Sequence, residues 1–188
     1  VGALDLDLRQ RTFARYSENR RAYLASAGLD LPSPDYRDLP PADPATLGAG
    51  ENAQDQRLTQ ALEAMHGEKD FIVIKCPGSH PRLSQYAHTL ADTLITPMND
   101  SFVDFDLLAR IDPTTGKILG PSIYAEMVWS ARQTRAQAKM APIDWIVLRN
   151  RLGSQQMRNK RKVGDALEEL SRRIGFRVIA GFSDRGSL

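Results

Sequence analysis

At 188 residues and 41% hydrophobic content, the chain is large enough to bury a core as one domain or two small ones, which excludes a disordered tail. Its 25 basic and 23 acidic residues leave a formal charge of +2, so global charge names no partner. The single cysteine, Cys76, excludes an internal disulfide and fits a reducing cytoplasm, and no apolar run approaches the ~20 residues of a membrane span.

The opening "VGALDLDLRQRT" reads as a strand that ends on two acids, Asp5 and Asp7. Strand side chains alternate faces, so these carboxylates point to the same side and need a partner. "RQRTFARYSENRRAYLASAG" then suits an amphipathic helix stopped near Gly28. Between residues 29 and 50 lie five of the eleven prolines, which predicts a proline-rich loop without regular structure. "DQRLTQALEAMHG" returns to helical spacing, and "DFIVIKCPG" reads as a fully buried strand running into a Pro-Gly turn.

The alternation continues. "PRLSQYAHTLADT" predicts a helix, "LITPM" a strand, "SFVDFDLLAR" a turn or two of helix, and "DPTTGKILG" a turn. Pro121 is expected to open the helix "SIYAEMVWSARQTRAQAK" at its first position. "IDWIVLRNRLG" is an apolar strand with a polar exit, "SQQMRNKRKVGDALEELSRRIG" a long basic helix, and "FRVIAGF" a last strand. This order predicts an α/β fold, a mostly parallel sheet with helices on both faces and ligands at the carboxyl ends of the strands. The candidate places are therefore the exits at 5–10, 75–80, 97–101 and 149–152.

At these exits "LDLDLRQRT", "DFIVIKCPG", "ADTLITPMNDSFVDFDLL", "IDWIVLRNRL" and "IGFRV" together resemble the MipZ branch of the ParA/MinD deviant-Walker P-loop ATPases. The resemblance covers nearly all 188 residues and loosens only in the proline-rich loop. It implies a P-loop NTPase fold of ParA/MinD type in one domain, 1–188, truncated at both ends and so incomplete. It also implies an ATPase that uses ATP and Mg²⁺, with Asp7 as the catalytic acid that orients the attacking water. Asp5, Pro77, Gly78 and Asn150 would then contact nucleotide, Asn150 through the two-way hydrogen bonding of its amide with a purine edge. A carboxylate placed to align water is chemically sensible, because phosphoryl transfer depends mostly on positioning and charge stabilisation. Without the resemblance, the two acids would be solvated groups at a strand end, and Asn150 a turn residue.

The chain departs from that pattern twice. No GxxxxGK[ST] phosphate cradle occurs in these residues, so the sequence is expected to be a fragment that is inactive by itself. Where the family's strand ends in a metal-holding Asp, this one has Lys75. A cation there would repel Mg²⁺ and pair with phosphate directly, or its stem would simply snorkel to water.

From Arg149 to Arg177 nine basic residues face three acids. Arg158 and Lys162, four apart with Arg161 beside them, share one helix face that suits phosphate contacts on duplex DNA, although such runs are usually solvated. The resemblance implies nonspecific DNA binding at this surface. The Arg132, Arg135, Lys139 series reads as solvated, and Cys76 as an idle thiol despite His80 nearby. The resemblance further implies an ATP-dependent homodimer, cytoplasmic and nucleoid-associated without membrane insertion, that inhibits FtsZ assembly and is recruited through ParB. A ParA-type partition ATPase and a pseudo-ATPase that serves as a DNA-binding or interaction module are the rival readings.

Overall fold

In a computed structural model the described residues are 1–7, 10–40, 52–77, 81–99, 102–112, 117–150, 157–179 and 181–182. They divide into two compact units, residues 1–87 and 88–188.

In the first unit three strands, β1 (Gly2–Asp5), β2 (Asp35–Arg37) and β3 (Ile72–Lys75), form a parallel sheet in the order β2-β1-β3. Helix α1 (Thr12–Ala27) connects β1 to β2, and α2 (Asn52–Met65) leads towards β3, so all three strands end at the same edge. The central strand carries the core: Ala3 and Leu4 are fully enclosed, as are Leu58 and Met65 of α2. Helix α1 stops where expected, because Gly28 takes the left-handed conformation (φ 63°) and its N–H reaches back to Leu24 and Ala25. The strand β2 lies inside the segment predicted to lack regular structure. It pairs in parallel with β1 and is flanked by ion pairs that the proline content does not reveal: Arg37 bridges Asp35 at 2.9 Å and Glu68 at 2.8 Å, and Lys69 adds a second cation to Asp35 at 3.0 Å. Of that loop, residues 41–50 lie outside the described residues.

Strand β3 differs from its expected burial. Val73 is 49% exposed, as is Phe71 just before the strand at 71%, and among the described residues β3 pairs with β1 alone and so forms an edge. Helix α3 (Pro81–Leu90) follows it.

The second unit contains a parallel sheet in the order β4 (Thr93–Asn99), β7 (Asp144–Asn150), β8 (Arg177–Ile179). After β4 come the single turn α4 (Phe102–Phe105) and an antiparallel hairpin, β5 (Ala109–Ile111) with β6 (Ile118–Pro121). The sequence reading missed both hairpin strands, since each is only three or four residues long and the connecting turn dominates the pattern. Pro121 consequently ends β6. The cap of α5 (Ile123–Gln137) is Ser122, whose Oγ accepts from the Ala125 N–H at 3.0 Å and donates to the Leu107 carbonyl.

The core of this unit gathers Trp145, Phe105, Leu108, Val128, Leu167 and Leu170 in one buried cluster, with the indole packed against the Phe176 ring. The indole N–H donates to Thr96 Oγ1 at 3.0 Å, and the Thr96 hydroxyl pairs with the Tyr124 hydroxyl at 2.8 Å. Two residues of the supposedly solvated basic series are structural. Arg132 lies 5.6 Å above the Trp145 ring and donates to the Ile174 carbonyl at the end of α6 (Met157–Ile174). Arg135 is 1% exposed and donates to the carbonyls of Ala141 (2.7 Å) and Thr89 (3.1 Å) and to Asp92 Oδ1 (3.0 Å). Only Lys139 of the three is exposed. The reason is their spacing: Ala131, Arg135 and Val128 all lie on the inward stripe of α5.

Candidate functional site

The site begins with register. Strand β1 runs parallel to β3 with Asp5 opposite Lys75, so an acid and a base emerge side by side at the exits of adjacent strands. Asp5 is not the solvated strand-end acid that its position suggests. It is 3% exposed, and its carboxylate is engaged on every side. Oδ1 accepts the Asp7 N–H at 2.9 Å and the Lys75 ammonium at 3.1 Å. Oδ2 accepts the Phe13 N–H at 3.1 Å, with the same ammonium at 3.4 Å.

Those contacts give Asp5 a second structural role. The residue before α1, Arg11, sits in the left-handed region (φ 48°) and supplies no side-chain cap. Asp5 takes over, accepting from the first turn of α1 across the loop, where a negative charge also favours the helix dipole. Asp7 stands one step further out. Its Oδ1 accepts the Gln10 N–H at 3.2 Å, its carbonyl accepts the Arg11 N–H at 2.9 Å, and its Oδ2 lies 3.7 Å from the Lys75 ammonium. The two acids that required a partner therefore share one cation.

Around them is a group that the sequence reading missed. Tyr36, on β2, packs edge-on against Phe13 with ring centroids 5.9 Å apart, and its hydroxyl donates to Asp38 Oδ1 at 3.1 Å. Burial first, and then that hydrogen bond, push the Tyr36 hydroxyl up to about 12. Arg11 reaches Asp38 at 3.3 Å. Reading residues 29–50 as a structureless loop concealed this; the available signal was an Asp-Tyr-Arg triplet with an acid directly after it.

Matching the sequence against protein families gives one result that covers the chain: the family of ATPase MipZ matches residues 1–187. The chain belongs to the MipZ family. MipZ proteins are ParA/MinD-like ATPases involved in division positioning, and the mixed α/β architecture with parallel sheets agrees with that assignment. No curated protein matches the chain.

The remaining MipZ-like positions fall as follows. Pro77 is buried, and its carbonyl accepts from Ser84 Oγ at 2.9 Å; Gly78 lies outside the described residues. Asn150 ends β7 in the second unit, half-buried and directly opposite Asn99 of β4 in the parallel register. Asn99 donates its backbone N–H to Asp104 Oδ2 at 2.8 Å, while Asp100 and Ser101 of the exit at 97–101 lie outside the described residues. Arg158, Arg161 and Lys162 fall on helix α6, but their side chains are outside the described residues. Burial pushes the Cys76 thiol up to about 11, away from the thiolate that a nucleophile or metal ligand requires.

MipZ-type ATPases imply Mg²⁺ as well as nucleotide, and the chemistry of the donor set tests that. Mg²⁺ takes oxygen ligands at about 2.0–2.1 Å and is usually held through one or two carboxylates. Here the two carboxylates have an ammonium between them. Among the described residues no group of three or more His, Cys, Asp or Glu converges elsewhere. The described residues at this site do not fit a divalent metal. Also among the described residues, no helix is long and apolar enough to cross a membrane.

Proposed function

We propose that the full-length protein is an ATP-dependent dimerising switch of the MipZ kind, cytoplasmic and nucleoid-associated, that positions the division plane by inhibiting FtsZ assembly. In this reading 1–188 forms part of one P-loop NTPase domain, ParB recruits the protein, and α6 carries nonspecific duplex DNA on Arg158, Arg161 and Lys162. The residues assigned to nucleotide contact in this reading are Asp5, Pro77, Gly78 and Asn150. A nucleotide-linked dimer acts as a switch because only the bound state completes both interfaces. The observation that carries the reading is the family match over residues 1–187, supported by the convergence of Asp5 and Asp7 at the exit of β1.

Asp7 is the residue suited to orient water. Its neighbour Asp5 has both oxygens committed inside the fold, whereas Asp7 is the more exposed acid, with a side chain 17% accessible. Sedimentation of FtsZ polymers with the full-length protein and ATP tests the switch. Suppressed polymer supports it, and unaffected FtsZ assigns the protein instead to the ParA-type partition ATPases.

One observation favours a second reading, a pseudo-ATPase that serves as a DNA-binding or interaction module. Lys75 pairs with the acids that ATP hydrolysis would use and offsets half of their charge. ATP turnover measured with Lys75 and with Lys75→Asp separates the two. Inactivity in the first and recovery in the second would support the module.

A further inference from the structure

We propose that Lys75 is a built-in counter-ion which occupies the charge position between Asp5 and Asp7 and closes this site to divalent metal. The inference rests on the MipZ-type reading for its expectation of a metal, but its argument is local.

Four observations converge. Lys75 is fixed opposite Asp5 by the parallel register of β1 and β3, so its backbone cannot move away without breaking the sheet. Its ammonium contacts both oxygens of Asp5, at 3.1 and 3.4 Å, and lies 3.7 Å from Asp7 Oδ2. The Asp5 side chain is 1% exposed, so its charge is far from bulk water and depends on this cation and two backbone N–H groups. Finally, the Lys75 side chain is only 35% exposed: its stem folds over the acids instead of snorkelling outwards.

A divalent ion would have to approach oxygens already paired with an ammonium, and it would meet that ammonium's charge at close range. Moving Lys75 aside would strand part of its stem and require Mg²⁺, which dehydrates reluctantly, to replace a charge-assisted hydrogen bond. Two carboxylates and one ammonium leave a net single negative charge; two carboxylates with a third acid would leave three. Charge count alone therefore sets the wild-type site against metal and the Lys75→Asp site in favour of it.

The test is Mn²⁺ binding to the full chain without nucleotide, followed by electron paramagnetic resonance of free Mn²⁺ and by paramagnetic broadening of the Asp5 and Asp7 amide signals. Wild-type protein is expected to bind no more Mn²⁺ than the Asp5→Asn, Asp7→Asn double variant, with no broadening at residues 5 and 7. Lys75→Asp is expected to bind more tightly than wild type by upwards of about tenfold, from the change in charge alone. Selective broadening at residues 5 and 7 in the wild type overturns the proposal, whether or not Lys75→Asp folds. So does a folded Lys75→Asp variant, confirmed by its amide spectrum, that binds Mn²⁺ no better than wild type. Because nucleotide is absent, failure here leaves the switch untouched; failure of the switch is read separately, from ATP binding in chelator.

Discussion

The Lys75 ammonium and the Asp5 carboxylate, seventy positions apart in sequence, meet at 3.1 Å at the exits of two neighbouring parallel strands. The acid is enclosed and the base is partly open, so the two ends of this pair are not equivalent. Removing the cation leaves a buried carboxylate held only by two backbone N–H groups. Lys75→Ala is therefore expected to cost about 2–4 kcal/mol, read from urea unfolding, towards the range found when a buried pair loses one member. Asp7→Asn, with its more distant contact to the ammonium, should cost less than about 1 kcal/mol. Equal losses at the two positions would show that Asp5 is not the centre of the cluster.

His88 sets a pH dependence in the acid range. It is 4% exposed, packs edge-on against Tyr124, and its Nδ1 has no hydrogen-bond partner among the described residues. Burial lowers its pKa from 6.5 to about 4. Between those values the unfolded chain binds the proton and the folded chain does not, so stability rises with pH across the window. Going downward from about pH 6.5 to 4, the loss should reach on the order of 3 kcal/mol. His88→Phe should flatten that part of the profile, measured as urea midpoints against pH.

Arg135 and Asp92 separate two kinds of ion pair. The guanidinium is nearly inaccessible and satisfies two backbone carbonyls, whereas Asp92 is 92% exposed. Asp92→Ala should change stability by less than about 1 kcal/mol. Arg135→Ala removes the packing of a buried stem and the donors to two partly buried carbonyls, and should cost about 3 kcal/mol or more. The measurement is thermal unfolding of the two variants side by side.

DNA binding is tested through its salt dependence. If Arg158 and Lys162 contact phosphates, each substitution to Ala should weaken affinity for any duplex sequence alike. Each should also reduce the slope of log affinity against log salt by about 0.9. Fluorescence anisotropy at several salt concentrations measures both, and an unchanged slope removes DNA from the proposed function.

Much of this architecture was legible in the chain because its signals are local. The apolar runs of β1, β4 and β7, the glycine after α1 and the long basic α6 announce themselves over a few residues. The missed contacts depend on distance in sequence, whereas the β5–β6 hairpin was hidden by the shortness of its strands. β2 pairs with β1 and meets Glu68 and Lys69 from beyond α2, Arg132 finds the end of α6, and Arg135 finds Thr89 and Asp92. For the candidate site, the identities of Asp5, Asp7 and Lys75 were visible as separate residues, and period-two alternation placed the acids together. Their convergence with Lys75 follows from register between strands, which no single stretch encodes.

The placement of the chromophores has a practical result. Both tryptophans, Trp129 and Trp145, belong to the second unit, whereas four of the five tyrosines, Tyr16, Tyr23, Tyr36 and Tyr86, belong to the first. Indole emission excited at the red edge thus follows Trp129 and the buried Trp145 and is blind to the unit that holds the acid pair, which only phenol absorbance watches. Comparing the two optical signals during a melt reveals directly whether the halves come apart together or in turn.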